Sequence, residues 1–160
     1  MFYFLLIAIF PIILIIIIYI NNPTSNILYY IALKTSDLPN IYSLKTPAFS
    51  KTLSLYVKTA PFAAIFLFFN TYKNLRLKKD KSPWHLLKIN ILFTLFYAIL
   101  IYLFLFTNTE LTSSAKMLKL MSVNSILLSF FYISLYSIIF IFTFLYFWFC
   151  IGSYRAFKER

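Results

Sequence analysis

Apolar residues fall into four long blocks separated by polar, turn-rich connectors, and each block has the length of a bilayer crossing. Residues 2–20 carry no charge and would run about 28 Å as a helix, stopped by Asn21, Asn22 and Pro23. No basic stretch precedes this block and no small-residue cleavage site follows it, so it reads as a retained span and not as a signal peptide. The connector 21–52 holds Pro23, Pro39 and Pro47 with sparse charge. Within it, residues 27–33 are apolar but too short to cross, and are expected at the interface, where tyrosines prefer to sit. A second span is expected over 53–72, taking in Lys58 and Pro61, a third over 89–106 and a fourth over 125–149. A basic loop at 73–88 and a polar connector at 107–124 join them. This pattern predicts one all-α domain over residues 1–160, an integral membrane four-helix bundle.

Composition strengthens that reading. Of 160 residues, 62% are hydrophobic and 12% charged, about half the charge of a soluble domain. No single core in water hides so much apolar surface at this size. Scarcity also removes most chemistry. One glycine, Gly152, leaves no P-loop, dinucleotide fingerprint or glycine-framed nucleophile turn. One histidine (His85), one cysteine (Cys150) and four acids (Asp37, Asp80, Glu110, Glu159) offer no ready metal site or catalytic triad. A single cysteine excludes an internal disulfide. The expectation is a non-enzyme with no catalytic residue, no cofactor, no metal and no small-molecule substrate. No acid lies inside a span, so proton-coupled transport has no evident carrier.

The net charge of +11 points to the lipid bilayer and not to nucleic acid, because the basic residues lie between and after the apolar blocks. Lys73, Arg76, Lys78, Lys79, Lys81 and Lys88 crowd the 73–88 loop, and Arg155, Lys158 and Arg160 follow the last span. The remaining lysines are spread thinly over the other connectors. The positive-inside rule then makes loop 73–88 and both termini cytoplasmic, with 21–52 and 107–124 on the outer, periplasmic side.

The spans are not uniformly apolar. At 100° per residue, Ser125, Ser129, Tyr132, Tyr136 and Thr143 fall within an arc of about 60° on the fourth helix. Asn90, Thr94 and Tyr97 line one side of the third. Hydroxyls in lipid seek helical partners, so the stripes either pack against each other or serve a second membrane-embedded protein. Lys58 is expected near the outer end of its helix, snorkelling to the interface. Glu110 is available to Lys116, Lys119 or a cationic partner, and Trp84 and His85 read as an interfacial aromatic belt. Cys150, at a span's end, reads as inert.

Three tracts are not demanded by crossing a bilayer. They are Asp37-Leu38-Pro39 with Tyr56-Val57-Lys58-Thr59-Ala60-Pro61-Phe62; Asn108-Thr109-Glu110-Leu111-Thr112 with Lys119-Leu120-Met121; and Phe131-Tyr132-Ile133-Ser134-Leu135-Tyr136-Ser137-Ile138-Ile139-Phe140. On these, residues 22–142 resemble the immunity proteins of the pore-forming colicins, in the group that protects against colicins A, B and N. The resemblance implies a small, plasmid-encoded, multi-pass protein of the bacterial inner membrane. It implies as partner the pore-forming domain of one cognate colicin, held so that its channel stays shut. The family pattern includes a short charged leader before the first span; here the apolar run begins at Phe2. The expected toxin-binding set is Ser129, Tyr132, Tyr136 and Thr143 of the stripe, with Lys58, Thr59, Glu110, Thr112 and Lys119 of the outer face adding specificity. A holin-like or channel-forming protein, or a plasmid or phage exclusion protein, shares the topology; overexpression of the former should depolarise cells, and the latter should block DNA transfer.

Overall fold

A computed structural model describes residues 2–74 and 83–158. In chain order the elements are α1 (Phe2–Asn21), α2 (Asn26–Lys34), β1 (Ile41–Tyr42), α3 (Pro47–Val57), α4 (Ala60–Thr71), α5 (Pro83–Ile101), β2 (Thr109–Glu110), α6 (Lys116–Val123) and α7 (Ser125–Lys158). A 3₁₀ turn (Tyr72–Asn74) follows α4, and a π turn (Tyr102–Phe106) extends α5. Four stretches among the described residues are long and apolar enough to cross a membrane: Tyr3–Asn21, Pro47–Thr71, Trp84–Phe106 and Ser125–Arg155. Much of the 73–88 connector, including Arg76, Lys78, Lys79 and Lys81, lies outside the described residues, as do Glu159 and Arg160.

α7 is the axis around which the rest packs, touching α1, α3, α4, α5 and α6. Its buried positions Leu128, Tyr132, Leu135, Tyr136, Ile139, Phe140, Thr143 and Phe144 recur at three- and four-residue steps, the spacing of one helical face. At 34 residues it is about 51 Å long, well beyond a hydrocarbon core of about 30 Å. It therefore runs nine residues past the span expected to end at Phe149. Arg155 and Lys158 in its last turn suit the negative end of the helix dipole, and the Arg155 guanidinium donates to the Tyr72 carbonyl (3.2 Å), joining the ends of α7 and α4.

The second crossing is broken. Pro61 has no amide to offer the Val57 carbonyl, so α3 stops there and two tight turns follow: the Lys58 amide donates to the Leu55 carbonyl (3.2 Å) and that of Thr59 to Tyr56 (2.9 Å). The helical stretch also begins at Pro47, six residues before the expected Leu53. Ser50, Thr52 and Ser54 lower its apparent apolarity, yet all three are buried and hydrogen-bonded. α5 is joined to the bundle chiefly through α7, and only 11% of its span is buried against 44% for α7. Residues 27–33 form most of α2, which lays Leu28 and Ala32 against Ile15, Ile18 and Tyr19 of α1 and Ala48 of α3.

Candidate functional site

The two connectors assigned to the outer side are tied into one cap. β1 and β2 pair in parallel, Ile41 opposite Thr109 and Tyr42 opposite Glu110. The Thr109 amide donates to the Asn40 carbonyl (3.1 Å) and the Leu111 amide to that of Tyr42 (2.9 Å). Asn108 adds its side-chain carbonyl to the Asn40 amide at 2.8 Å. A two-residue strand pair has no stability of its own; helices hold this one from below. The Ile41 and Ser43 amides donate to the hydroxyls of Ser54 and Ser50, both at 3.0 Å. Ser50 and Ser54 are one turn apart on α3 and so face the same way. The Ser43 hydroxyl donates to the Ser122 carbonyl of α6 (3.0 Å), and Tyr132 of α7 donates to the Ile41 carbonyl (2.6 Å). Leu111 fills the space beneath, fully buried.

Below the cap lies an apolar groove of about 520 Å³ lined by α1, α2, residue Leu38 and the α3–α4 junction. Lys58 and Thr59 stand on its wall beside Tyr56 and Phe62. Two contacts set α1 against α3. Tyr19 of α1 stacks on Phe49 of α3 with ring centroids 4.1 Å apart, while Tyr56 donates its hydroxyl to the Ala8 carbonyl at 2.8 Å, in the turn that Pro11 weakens. α1 and α3 thus run side by side in opposite directions. Lys58 caps α3 at its break from α4, eleven residues past Pro47 and beside Ile31 and Leu38 of the 21–52 connector.

The nine residues expected to bind a partner fall into three positions. Ser129, Tyr132, Tyr136 and Thr143 are all buried inside the chain's own bundle. Ser129 and Thr143 return their hydroxyls to the Ser125 and Ile139 carbonyls one turn back, each at 2.7 Å. Thr143 also meets the Tyr97 hydroxyl at 2.9 Å, Tyr136 stacks on Tyr56 at 5.5 Å, and Tyr132 is the tie to the cap. Of the two readings of the stripe, internal packing is what this geometry takes; a partner reaches these atoms only if the helices part. Lys58 and Thr59 share the groove. Glu110 and Thr112, half-buried, belong to the cap, where the Thr112 hydroxyl donates to the Glu110 carboxylate; among the described residues no lysine pairs with Glu110. Lys119 is exposed on α6, tied to the cap because Ser122 donates to its carbonyl (2.7 Å). The stripe links the two outer groups, Tyr132 touching the cap and Tyr136 the wall behind Lys58.

Residues that sequence reasoning passed over are the small polar ties: Asn40, Ser43, Ser50, Ser54, Asn108 and Ser122. The one available signal was the Ser50–Ser54 spacing in an otherwise apolar helix. Trp84 and His85 are exposed in the first turn of α5. Among the described residues no three His, Cys, Asp or Glu side chains gather to hold a metal.

Taken together, the molecule is a mainly helical protein with four membrane-length apolar stretches and a hydrogen-bonded cap uniting two distant connectors. Residues 24–160 match the family described as Colicin immunity protein, and the chain belongs to that family. It is similar to the colicin-N immunity protein of Escherichia coli, 48% identical over 61 residues, covering 38% of this chain and 47% of that protein. The colicin-B immunity protein of Escherichia coli is 36% identical over 104 residues, covering 59% of each chain. The colicin-A immunity protein of Citrobacter freundii is 35% identical over 94 residues, 59% of this chain and 53% of that one. The chain spans about half the length of the curated relatives it matches. No solved structure matches it.

Proposed function

We propose that this chain is a bacteriocin immunity protein of the bacterial inner membrane, crossing four times with both termini in the cytoplasm. It protects the cell by binding the pore-forming domain of a cognate colicin within the bilayer and keeping the channel from opening. The observation that carries this reading is the cap, in a chain of the Colicin immunity protein family. The Asn-Thr-Glu-Leu-Thr tract and the connector ending at Tyr42 are held as one rigid surface, on the side assigned to the periplasm, from which a toxin arrives.

The mechanism needs no chemistry of the chain's own. A binder already in the membrane has only to hold the closed toxin more tightly than the open one, and a hundredfold preference shifts the equilibrium by about 2.7 kcal/mol. Lipid supplies no hydrophobic drive between helices, so shape and hydrogen bonds must supply the selectivity. Lys58, Thr59, Glu110, Thr112 and Lys119 are the contact residues in this reading. Ser129, Tyr132, Tyr136 and Thr143 act from inside, by fixing the surface that carries them.

The test is a killing assay. Sensitive cells expressing the chain alone are challenged with a panel of pore-forming colicins, with nuclease colicins as controls. Survival against one pore former and death under the nucleases is the expected result. Death under every pore former at normal membrane levels of the chain defeats the reading. Depolarisation on overexpression without toxin would favour a channel-forming protein instead.

A further inference from the structure

We propose that α5 is a hinged helix: it swings away from α7 about the π turn at its outer end, and this opening is how the chain admits its membrane-embedded partner. The proposal rests on the toxin-binding reading above and supplies the movement by which buried stripe residues become reachable.

The four spans are not held alike. α1 packs on α3, α4 and α7, and the α3–α4 crossing packs on α1, α2 and α7. α5 touches chiefly α7, and among the described residues it is the least enclosed span, with 11% buried. Elements that move in function are drawn from those with few buried contacts. In a bilayer the exposed flank of α5 loses nothing by moving, because lipid is as apolar as the side chains it touches. What opposes the movement is the seam with α7.

That seam pairs two antiparallel helices. Tyr97 meets the Thr143 hydroxyl at 2.9 Å and stacks on Tyr146 with ring centroids 4.7 Å apart. Further from the cap, Phe93 lies 5.3 Å from Phe149, and the Cys150 thiol, a weak donor, reaches the Asn90 side-chain carbonyl at 3.8 Å. At its other end α5 passes into the π turn (Tyr102–Phe106), none of whose residues is buried. Such wide turns are a recognised cause of sharp kinks and gather at functional sites. Beyond it the chain is fixed, since the Thr109 and Leu111 amides are bonded into the cap, which α3 and α7 hold. A firm anchor, a wide unburied turn and a helix attached along one side make a hinge. Opening bares the Tyr97 hydroxyl, whose bond to Thr143 lipid cannot replace, so the open form is completed by a partner segment that can.

Asn90→Cys sets a second thiol against Cys150, the chain's one cysteine. Sensitive cells expressing this full-length variant are treated with a membrane-permeant oxidant and challenged with the pore-forming colicin that the chain neutralises in the panel. Bridging about 90% of the chains should raise toxin sensitivity about tenfold, as the competent fraction falls, and dithiothreitol should reverse the effect. The same oxidant should change nothing when Cys150→Ser accompanies Asn90→Cys. A second measurement needs no bridge. Leu92 and Tyr154 are exposed, and spin labels are carried there on cysteines in a Cys150→Ser background. Leu92 is ten residues from the π turn, about 15 Å along the helix, so a swing of about 20° parts the labels by about 5 Å when the colicin is added. Undiminished protection with the bridge closed overturns the proposal, and so does a label separation that the colicin leaves unchanged. Where reduced Asn90→Cys fails to protect, the label distance decides. A wild-type chain that protects against no pore former instead defeats the underlying toxin-binding reading.

Discussion

Replacing Tyr132 with phenylalanine isolates the tie between the bundle and its cap. The ring stays, so the packing around this fully buried side chain is unchanged. What disappears is one hydroxyl donor, 2.6 Å from the Ile41 carbonyl. That carbonyl sits on the edge of β1 facing away from β2, where the amide of Ile41 itself is already taken by Ser54. Leaving a buried acceptor unmet costs about 1–3 kcal/mol. If the cap opens locally, the whole cost appears in its opening equilibrium, and protection of its amides falls about five- to 150-fold. The amides to follow are those of Thr109 and Leu111, which bond across to Asn40 and Tyr42. Hydrogen exchange of the detergent-solubilised chain reads them directly, with amides of α7 near Ile139 as the internal control. Cap amides that exchange within twofold of the wild type would refute the reasoning, since the hydroxyl would then not be holding the cap. Accelerated exchange along α7 as well would mean that the substitution had loosened the bundle and not the tie.

Other outcomes follow from the same contacts. Ser50→Ala with Ser54→Ala removes the acceptors for two buried cap amides and should destabilise the cap by about 2–6 kcal/mol in all, read as faster proteolysis between residues 38 and 46. Tyr97→Phe deletes only the bond to Thr143, an interhelical hydrogen bond contributing about 0.6 kcal/mol; thermal unfolding in detergent should shift slightly and toxin protection should persist. Exposed Lys119→Glu should leave stability within about 0.5 kcal/mol yet lower protection in the killing assay if the cap meets the toxin. Reporter fusions after Arg160 and within 76–81 should be active in the cytoplasm, and one inserted at Asp37 in the periplasm, reversing if the orientation is wrong.

What the sequence reveals and what it hides divide along physical lines. The first helix and the inward stripe of α7 are legible because long apolar runs and a 3.6-residue period survive any tertiary context. The start of α3 is not, because Ser50, Thr52 and Ser54 count as polar until their hydroxyls are seen to be spent on the Thr46, Ala48 and cap backbone. The broken helix at Lys58 is foreshadowed by Pro61, but its place beside Ile15, Ile31 and Leu38 depends on how α3 packs against α1 and α2, which no local pattern records. Least legible is the β1–β2 pair. Two residues from each of two connectors, 68 positions apart, carry no periodicity to detect. The candidate residues were found as types, while their division into inner supports and outer contacts came only with the packing.

The joined connectors also bear on how loops can be exchanged between relatives. Ile41 and Thr109 are neighbours across the pair, and Ser43 reaches Ser122, so neither loop keeps its conformation without the other. A chimera that transplants one loop alone inherits a mismatched seam, whereas grafting both together with the Tyr132 anchor transfers an intact module. In the toxin-binding reading proposed above, a change of specificity is then expected to involve both loops as one unit.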